Sequence, residues 1–110
     1  MAIKYKILGQ ALPSFGSNAT LYTVPAGNST VVSTLNICNL SSSNVSFRIA
    51  VIPKGISPTP SNAYIAYDTA LPAQDAIGLT LGMTLDATDT VQVYSYQGNV
   101  TFNLFGSEIY

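Results

Sequence analysis

The sequence predicts an all-β protein that folds as a single antiparallel β-sandwich of about eight strands, either a jelly roll or an immunoglobulin-like sandwich. Apolar and polar residues alternate in short runs that begin roughly every 8–12 residues, and no segment shows the 3.6-residue period of a helix. Clusters of Gly, Pro, Asn and Ser separate these runs. Because 110 residues can bury one core, we expect residues 1–110 to form a single domain.

The first three strands are predicted at residues 2–8, 20–24 and 30–40, with a loop at 13–18 and a Pro-Gly turn at 25–28. The third strand has apolar residues on both faces, which is typical of a central strand. One face is expected to carry Val31, Leu35 and Ile37, and the other Val32, Cys38 and Leu40.

The fourth strand, 45–52, has the clearest two-residue alternation, with Phe47 and its alternate neighbours inside and Arg48 outside. Residues 53–62 follow, and their three prolines and one glycine predict an extended loop that cannot join a ladder. Long loops on a rigid scaffold commonly carry binding residues, so this loop is a candidate contact site.

Short strands at 63–67 and 76–81 lead into strands at 91–96 and 100–105. Between the last two strands, Gln97-Gly98-Asn99 is a turn sequence that predicts a β-hairpin. The side chains predicted to form the core are Val31, Leu35, Ile37, Val45, Phe47, Ile49, Val51, Ile65, Ile77, Leu79, Val91, Val93, Phe102 and Leu104.

Charged residues make up 8% of the chain and hydrophobic residues 47%, whereas roughly 25% charged residues is usual. The net charge is -1 and the four basic residues are scattered, so there is no basic patch for nucleic acid or for a membrane surface. No run approaches the roughly 18 apolar residues of a membrane span. So few charges give a surface prone to association, and we expect the protein to pack against others.

A single cysteine, Cys38, excludes an internal disulfide and fits synthesis in a reducing cytosol. We interpret it as a small buried apolar residue rather than a reactive thiol. The N-terminal stretch MAIKYKIL lacks the apolar segment of a signal peptide and is interpreted as a strand.

The chain contains no histidine, which makes Ser-His-Asp and Cys-His catalytic arrangements impossible. Asp86 and Asp89 could bind Ca²⁺ or act as the two acids of a glycosidase, but we interpret them as caps of a polar turn. Asp68, Asp75 and Glu108 are isolated in the sequence, so each is predicted to be solvated or to cap a turn. We therefore expect no metal, no cofactor and no enzymatic activity.

Two groups of residues are predicted to make intermolecular contacts. Tyr is enriched in protein interfaces, whereas the absence of Trp disfavours a platform for stacking sugars. The candidate residues of the contact loop are Lys54, Ile56, Ser57, Thr59, Ser61 and Asn62, and the candidate interface aromatics are Tyr64, Tyr67, Tyr94, Tyr96 and Tyr110.

Four segments, LYTVPAG at 21–27, VSTLNICN at 32–39, LGMTLDATDTVQVY at 81–94 and FNLFGSEI at 102–109, together resemble small β-sandwich structural proteins of tailed bacteriophages, such as phages of cyanobacteria and marine hosts. The resemblance implies a virion component that is made in the host cytoplasm and present in many copies. Its place would be the head, neck or tail, for example as a capsid decoration or cement protein. The implied partners are other virion proteins and further copies of the chain, for example in a trimer, with no nucleic acid or membrane partner.

Two other classes of function stay open. A carbohydrate-binding module of a phage tail or head fibre would contact host sugars through the loop at 53–62. A small hydrolase would depend on Asp86 and Asp89 as its acids.

Overall fold

A computed structural model describes residues 2–56 and 61–110, and these residues form eight β-strands. This confirms the predicted all-β sandwich of about eight strands. The strands are β1 (Ile3–Ala11), β2 (Asn18–Thr23), β3 (Ser29–Asn39), β4 (Val45–Ile52), β5 (Tyr64–Leu71), β6 (Ala76–Leu85), β7 (Thr90–Ser95) and β8 (Val100–Ile109), with a short 3-10 helix at Ser61–Ala63 before β5.

The strands form two four-stranded antiparallel sheets. Sheet A has the order β1-β8-β3-β6, and sheet B has the order β2-β7-β4-β5. The pairs β1 with β8, β2 with β7, β3 with β6 and β4 with β5 are nested, as if one long hairpin had been rolled up. Of the two alternatives drawn from the sequence, this is the jelly roll.

The predicted hairpin between the last two strands is wrong. Gly98 and Asn99 do reverse the chain, with φ angles of 70° and 54°, but the connection crosses from sheet B to sheet A. The two edges of β7 are occupied by β2 and β4, and those of β8 by β1 and β3. The last two strands therefore face each other across the core and do not share a ladder.

Most predicted core residues are buried, and at the centre Phe47 of sheet B meets Phe102 of sheet A edge to face, with ring centres 6.3 Å apart. Val51, Ile77 and Leu79 are half-buried and pack against the core. The remaining buried members of the predicted set are Leu35, Ile37, Val45, Ile49, Val91, Val93 and Leu104.

Two core predictions are wrong, because Val31 is 38% exposed and Ile65 is 49% exposed. The register of β3 shifts between Val32 and Thr34 against both neighbouring strands. A bulge of this kind exchanges the two faces of a strand, so Val32 is buried in place of Val31. On β5, Ala66 is the residue opposite the buried Ile49.

The third strand does lie inside its sheet, between β8 and β6, as predicted. Cys38 on this strand was expected to be buried and is instead half-buried. Its register partners are Thr101 and Ala76, which places it on the outer face of sheet A. Within the described ranges, no helix is long and apolar enough to cross a membrane.

Candidate contact site

Three of the five candidate interface aromatics meet around Arg48 on the outer face of sheet B. The guanidinium carbon of Arg48 lies 4.1 Å from the ring centre of Tyr67 and 4.7 Å from that of Tyr94. Tyr67 also meets Tyr64 edge to face, with ring centres 4.9 Å apart. Cation–π contacts of this geometry hold the long Arg side chain in one place. We call these residues, together with Asp68, the Arg48 cluster.

Asp68 was predicted to be solvated or to cap a turn; its side chain is 48% exposed, but it also completes the Arg48 cluster by pairing with Arg48. Arg48 Nε donates to Asp68 Oδ1 at 2.6 Å, and Nη2 donates to Oδ2 at 3.1 Å. Asp68 adopts a left-handed backbone, with φ of 49°, a conformation that Asp tolerates better than most residues. Its hydrogen bonds raise the pKa of Arg48 above its ordinary value and lower the pKa of Asp68 below its ordinary value.

The contact loop borders the same face. Ala63, at its end, is 7% exposed and packs with Ala50, Ile52 and Tyr64 in a small cluster on the outer side of sheet B. A depression of about 350 Å³ lies at the end of β4, lined by Val51, Pro53, Ile56, Asn62 and Ala63. The end of the loop at Ala63 therefore lies beside the Arg48 cluster, through its contact with Tyr64.

Four of the six candidate residues of the contact loop lie within the described residues. Lys54 is exposed, and its backbone N–H donates to Asp89 Oδ1 at 2.9 Å. Ile56 and Asn62 are exposed. Ser61 begins the short 3-10 helix, whereas the predicted contacts at Ser57 and Thr59 lie outside the described residues.

The other two candidate aromatics are placed elsewhere. Tyr96 contacts Phe15, with ring centres 5.5 Å apart. Tyr110 lies at the end of sheet A, where its backbone N–H donates to the carbonyl of Ala2 at 2.9 Å. The five tyrosines therefore do not form one surface.

A second exposed surface, which was not predicted from the sequence, lies on β1. Ile3, Tyr5 and Ile7 are 51%, 82% and 53% exposed on the outer face of sheet A. Two of their register partners on β8 are also large and apolar, namely Ile109 and Phe105. The alternation of residues 2–8 was the available signal, but it does not tell which face lacks a covering sheet.

Between the sheets, Glu108 is 6% exposed, so its predicted solvated or turn-capping role is wrong. The hydroxyl of Tyr22 donates to Glu108 Oε2 at 2.5 Å and lies 2.8 Å from Thr30 Oγ1, while Lys6 Nζ lies 3.4 Å from Oε1. Burial, and then the hydrogen bond to Glu108, raise the pKa of Tyr22 to about 12. Because Tyr22 belongs to β2 and Glu108 to β8, this cluster ties sheet B to sheet A.

The two aspartates considered as catalytic acids lie in the turn between β6 and β7. Asp86 Oδ1 accepts from the N–H of Ala87 at 2.8 Å, and Asp89 Oδ2 accepts from the N–H of Asp86 at 2.9 Å. Both carboxylates thus cap the turn, as the sequence analysis interpreted them. In the described part of the chain, no group of three or more His, Cys, Asp and Glu side chains could hold a metal ion.

No protein-family model and no curated protein matches the chain. Among solved structures, a chain of infectious bursal disease virus, Gx strain, matches with a TM-score of 0.56 and 13% identity over 97% of this chain and 32% of that chain. A chain of the T13 viral particle of the same virus matches with a TM-score of 0.56 and 12% identity over 97% and 30%. This chain spans less than a third of the length of either viral chain.

Two further matches are more distant. The catalytic domain of Agl-KA has a TM-score of 0.40 and 20% identity over 89% of this chain and 20% of that chain. A pentameric capsid protein from metagenomic phage sequences has a TM-score of 0.30 and 18% identity over 92% and 62%. The TM-scores of these two matches are too low to support an argument. The comparisons therefore show a sandwich fold shared with the two viral chains, and the relationship to phage proteins stays a prediction.

Proposed function

We propose that this chain is a structural subunit of a virion and works by binding neighbouring protein subunits. The observation that carries the proposal is the number of large apolar side chains left in solvent. Among the described residues, twelve large hydrophobic side chains are exposed. Three of them, Ile3, Tyr5 and Ile7, lie side by side on one face of β1. Monomeric proteins rarely leave large contiguous apolar patches uncovered, so this group favours a protein that functions when covered by neighbours.

The fold and the family resemblance support this proposal. The jelly roll is an architecture that capsid domains use, and chains of a virus particle share the sandwich fold. The resemblance to tailed-phage proteins supports the finer proposal of a capsid decoration or cement protein, or one attached to the neck or tail. The partners would be other virion proteins and further copies of the chain.

We also propose that the protein is not an enzyme, because its carboxylates are engaged in holding the structure. Asp86 and Asp89 cap their turn, Asp68 binds Arg48, and Glu108 accepts from Tyr22. Asp75 Oδ1 accepts from the N–H of Ala76 at 2.8 Å. Because the chain has no histidine, these carboxylates are the side chains that would have to supply a general acid or base of the His, Asp and Glu type.

Two variants test contact against catalysis. One deletes residues 56–61 at the tip of the contact loop, and the other combines Asp86→Asn with Asp89→Asn. A shortened loop costs little stability. Asn keeps one acceptor oxygen at each turn position, so Asp89→Asn retains one of the two backbone hydrogen bonds that Asp89 accepts from Asp86 and Lys54. Particles carrying each variant are purified, and the bound copies are counted by quantitative mass spectrometry.

We expect the deletion to reduce the number of bound copies and the double Asn variant to assemble and infect normally. Normal incorporation and infectivity of the deletion, together with a double Asn variant that assembles without infecting, would overturn the contact proposal. That result would return the two aspartates to the role of catalytic acids.

The second candidate function is carbohydrate binding, favoured by the depression beside the contact loop and by Tyr67 on sheet B, which is 58% exposed. Arg48 already lies over one face of the Tyr67 ring, which leaves less aromatic surface for a sugar. A glycan array probed with the purified protein tests this candidate. Binding that Tyr67→Ala abolishes would favour it over the contact proposal.

A further inference from the structure

We propose that the outer face of sheet A binds a second copy of this chain, face against face. The inference rests on the proposed contact function, and it names one contact surface and its occupant. The surface is the outer face of all four strands of sheet A. It includes an apolar stripe formed by Ile3, Tyr5 and Ile7 on β1 together with the residues beside it on β8 and β3.

The stripe extends over β1 and β8, and Val31 adds one apolar side chain on β3 beyond Ser107. Ile3 pairs with Ile109 and Ile7 with Phe105 on β8, and both partners are half-buried. Tyr5 is opposite Ser107, which is opposite Val31 on β3. The bulge that exposes Val31 thus adds a third strand to the apolar surface.

Within residues 2–56 and 61–110, no charged side chain lies on this face. Lys4, Lys6 and Glu108 occupy the alternate positions of β1 and β8, and Lys6 and Glu108 pair with each other there. The remaining charged residues belong to sheet B or to the connections between strands. Burying the face would therefore desolvate no charge, and an identical uncharged face is a matching partner, whereas a charged partner would lose hydration without compensation.

The size of the face suits a folded subunit. Four strands spaced about 4.8 Å apart and about nine residues long give a footprint on the order of 600 Å². A standard interface buries about 800 Å² per partner. The face of sheet A alone thus approaches what a specific dimer of low to standard interface size needs, and it is wider than one extended peptide.

The free edge of β1 is a less suitable contact than the face. β1 is the end strand of sheet A, and an antiparallel pair of two such edges centred on Tyr5 would place Lys4 opposite Lys6 of the other copy. Like charges directly opposite each other destabilise strand pairs, and edge lysines commonly prevent sheets from joining. Because Lys4 and Lys6 disfavour pairing of two β1 edges, we expect the second copy to bind the face of sheet A.

Sedimentation equilibrium of Tyr5→Asp, with Tyr96→Asp as the matched control, tests the proposal. Both tyrosines are more than half exposed, and Tyr96 contacts Phe15 away from the apolar stripe. We expect Tyr5→Asp to weaken association about 30-fold or more, as for an interface hot spot. The Tyr96 variant should match the wild type within about 2-fold.

Val31→Lys provides a second test, because it places a charge on the same face from a different strand. A thermal melt of each variant confirms that it folds before association is interpreted. The proposal is overturned if the wild type stays monomeric up to about 1 mM, if the variants on sheet A associate like the wild type, or if only the Tyr96 variant dissociates.

Counting the wild-type chain in purified particles separates this proposal from the proposed function. Particles that contain the chain, combined with Tyr5→Asp that associates normally, would reject the face of sheet A and keep the contact function. Particles without the chain, combined with dissociation of Tyr5→Asp, would reject the virion role and keep the dimer surface.

Discussion

The outer faces of the two sheets differ in chemistry although they cover the same core. The face of sheet A is uncharged and exposes Ile3, Tyr5 and Ile7. The face of sheet B carries Arg48, held between Tyr67 and Tyr94 and bonded to Asp68. Since outward positions of a sandwich are not constrained by packing inside, each face is free to suit a different neighbour.

The two faces should also bind in different ways. Association through sheet A would come from apolar area and would change little with salt. Association through sheet B would depend on a guanidinium whose position is already set by two rings and a carboxylate, so less side-chain entropy is lost on binding. Salt should weaken the second contact more than the first, since exposed charges are screened.

The largest expected effect on stability comes from a substitution in the core, which packs beneath both faces. Phe47 is 1% exposed and meets Phe102 of the opposite sheet, so Phe47→Ala should destabilise the protein by about 3–5 kcal/mol. Arg48→Ala, one residue along and on the outer side, should cost far less. Urea melts measure both variants, and the opposite order would mean that the two faces of β4 are assigned the wrong way round.

Gly106→Ala should affect sheet A selectively. A Cβ at this position would meet the Val31 carbonyl at 2.2 Å and Leu8 Cδ1 at 3.0 Å, whereas a Cβ at Gly78 on the same sheet meets nothing within 4 Å. We expect Gly106→Ala to cost about 1–3 kcal/mol and Gly78→Ala much less. Urea melts measure both, and equal costs would contradict the tight packing at the bulge.

The periodicity of the sequence was sufficient to locate the strands and most of the core. On β4, alternate residues from Val45 to Ile49 are buried as the two-residue period requires. The two-residue periodicity did not predict the faces of β3 correctly, because the bulge after Val32 exchanges them. No residue type at this position indicates a bulge. The hairpin prediction was wrong because a turn sequence such as Gln97-Gly98-Asn99 can connect two strands of one sheet or two strands of different sheets.

The candidate contact surfaces were predicted less completely than the fold. Tyr64, Tyr67 and Tyr94 lie around Arg48, and their role in an interface stays a prediction. The partner of Arg48 could not be predicted, because Asp68 lies 20 residues away and meets it only through the register of β4 and β5. The exposure of Ile3, Tyr5 and Ile7 depends on which face of β1 packs against sheet B, and local sequence does not determine that.

Tyr22→Phe tests the polar cluster that lies between the sheets beneath the face of sheet A. The change leaves the buried Glu108 without its hydroxyl donor and should cost about 1–3 kcal/mol. Because the pKa of Tyr22 is raised to about 12 in the folded protein, its contribution is present below pH 10 and is lost as the pH rises through 12. Urea melts from pH 8 to 12 should show this loss in the wild type and not in Tyr22→Phe, with the exposed Tyr5→Phe as the control.

The smallest effect should come from the face of sheet B. Arg48 lowers the pKa of Asp68 below its ordinary value, so the charge pair stabilises the fold above a pH of about 4 and loses this contribution as the pH falls through the folded pKa. Asp68→Asn removes the charge while keeping a side chain that tolerates the left-handed backbone. The wild type should exceed the variant in stability at pH 7, and the small difference should shrink toward pH 2.5 and in high salt. A difference that stays constant over this range would show that the Arg48 cluster is held by its rings alone, and the electrostatic contrast between the two faces would then be lost.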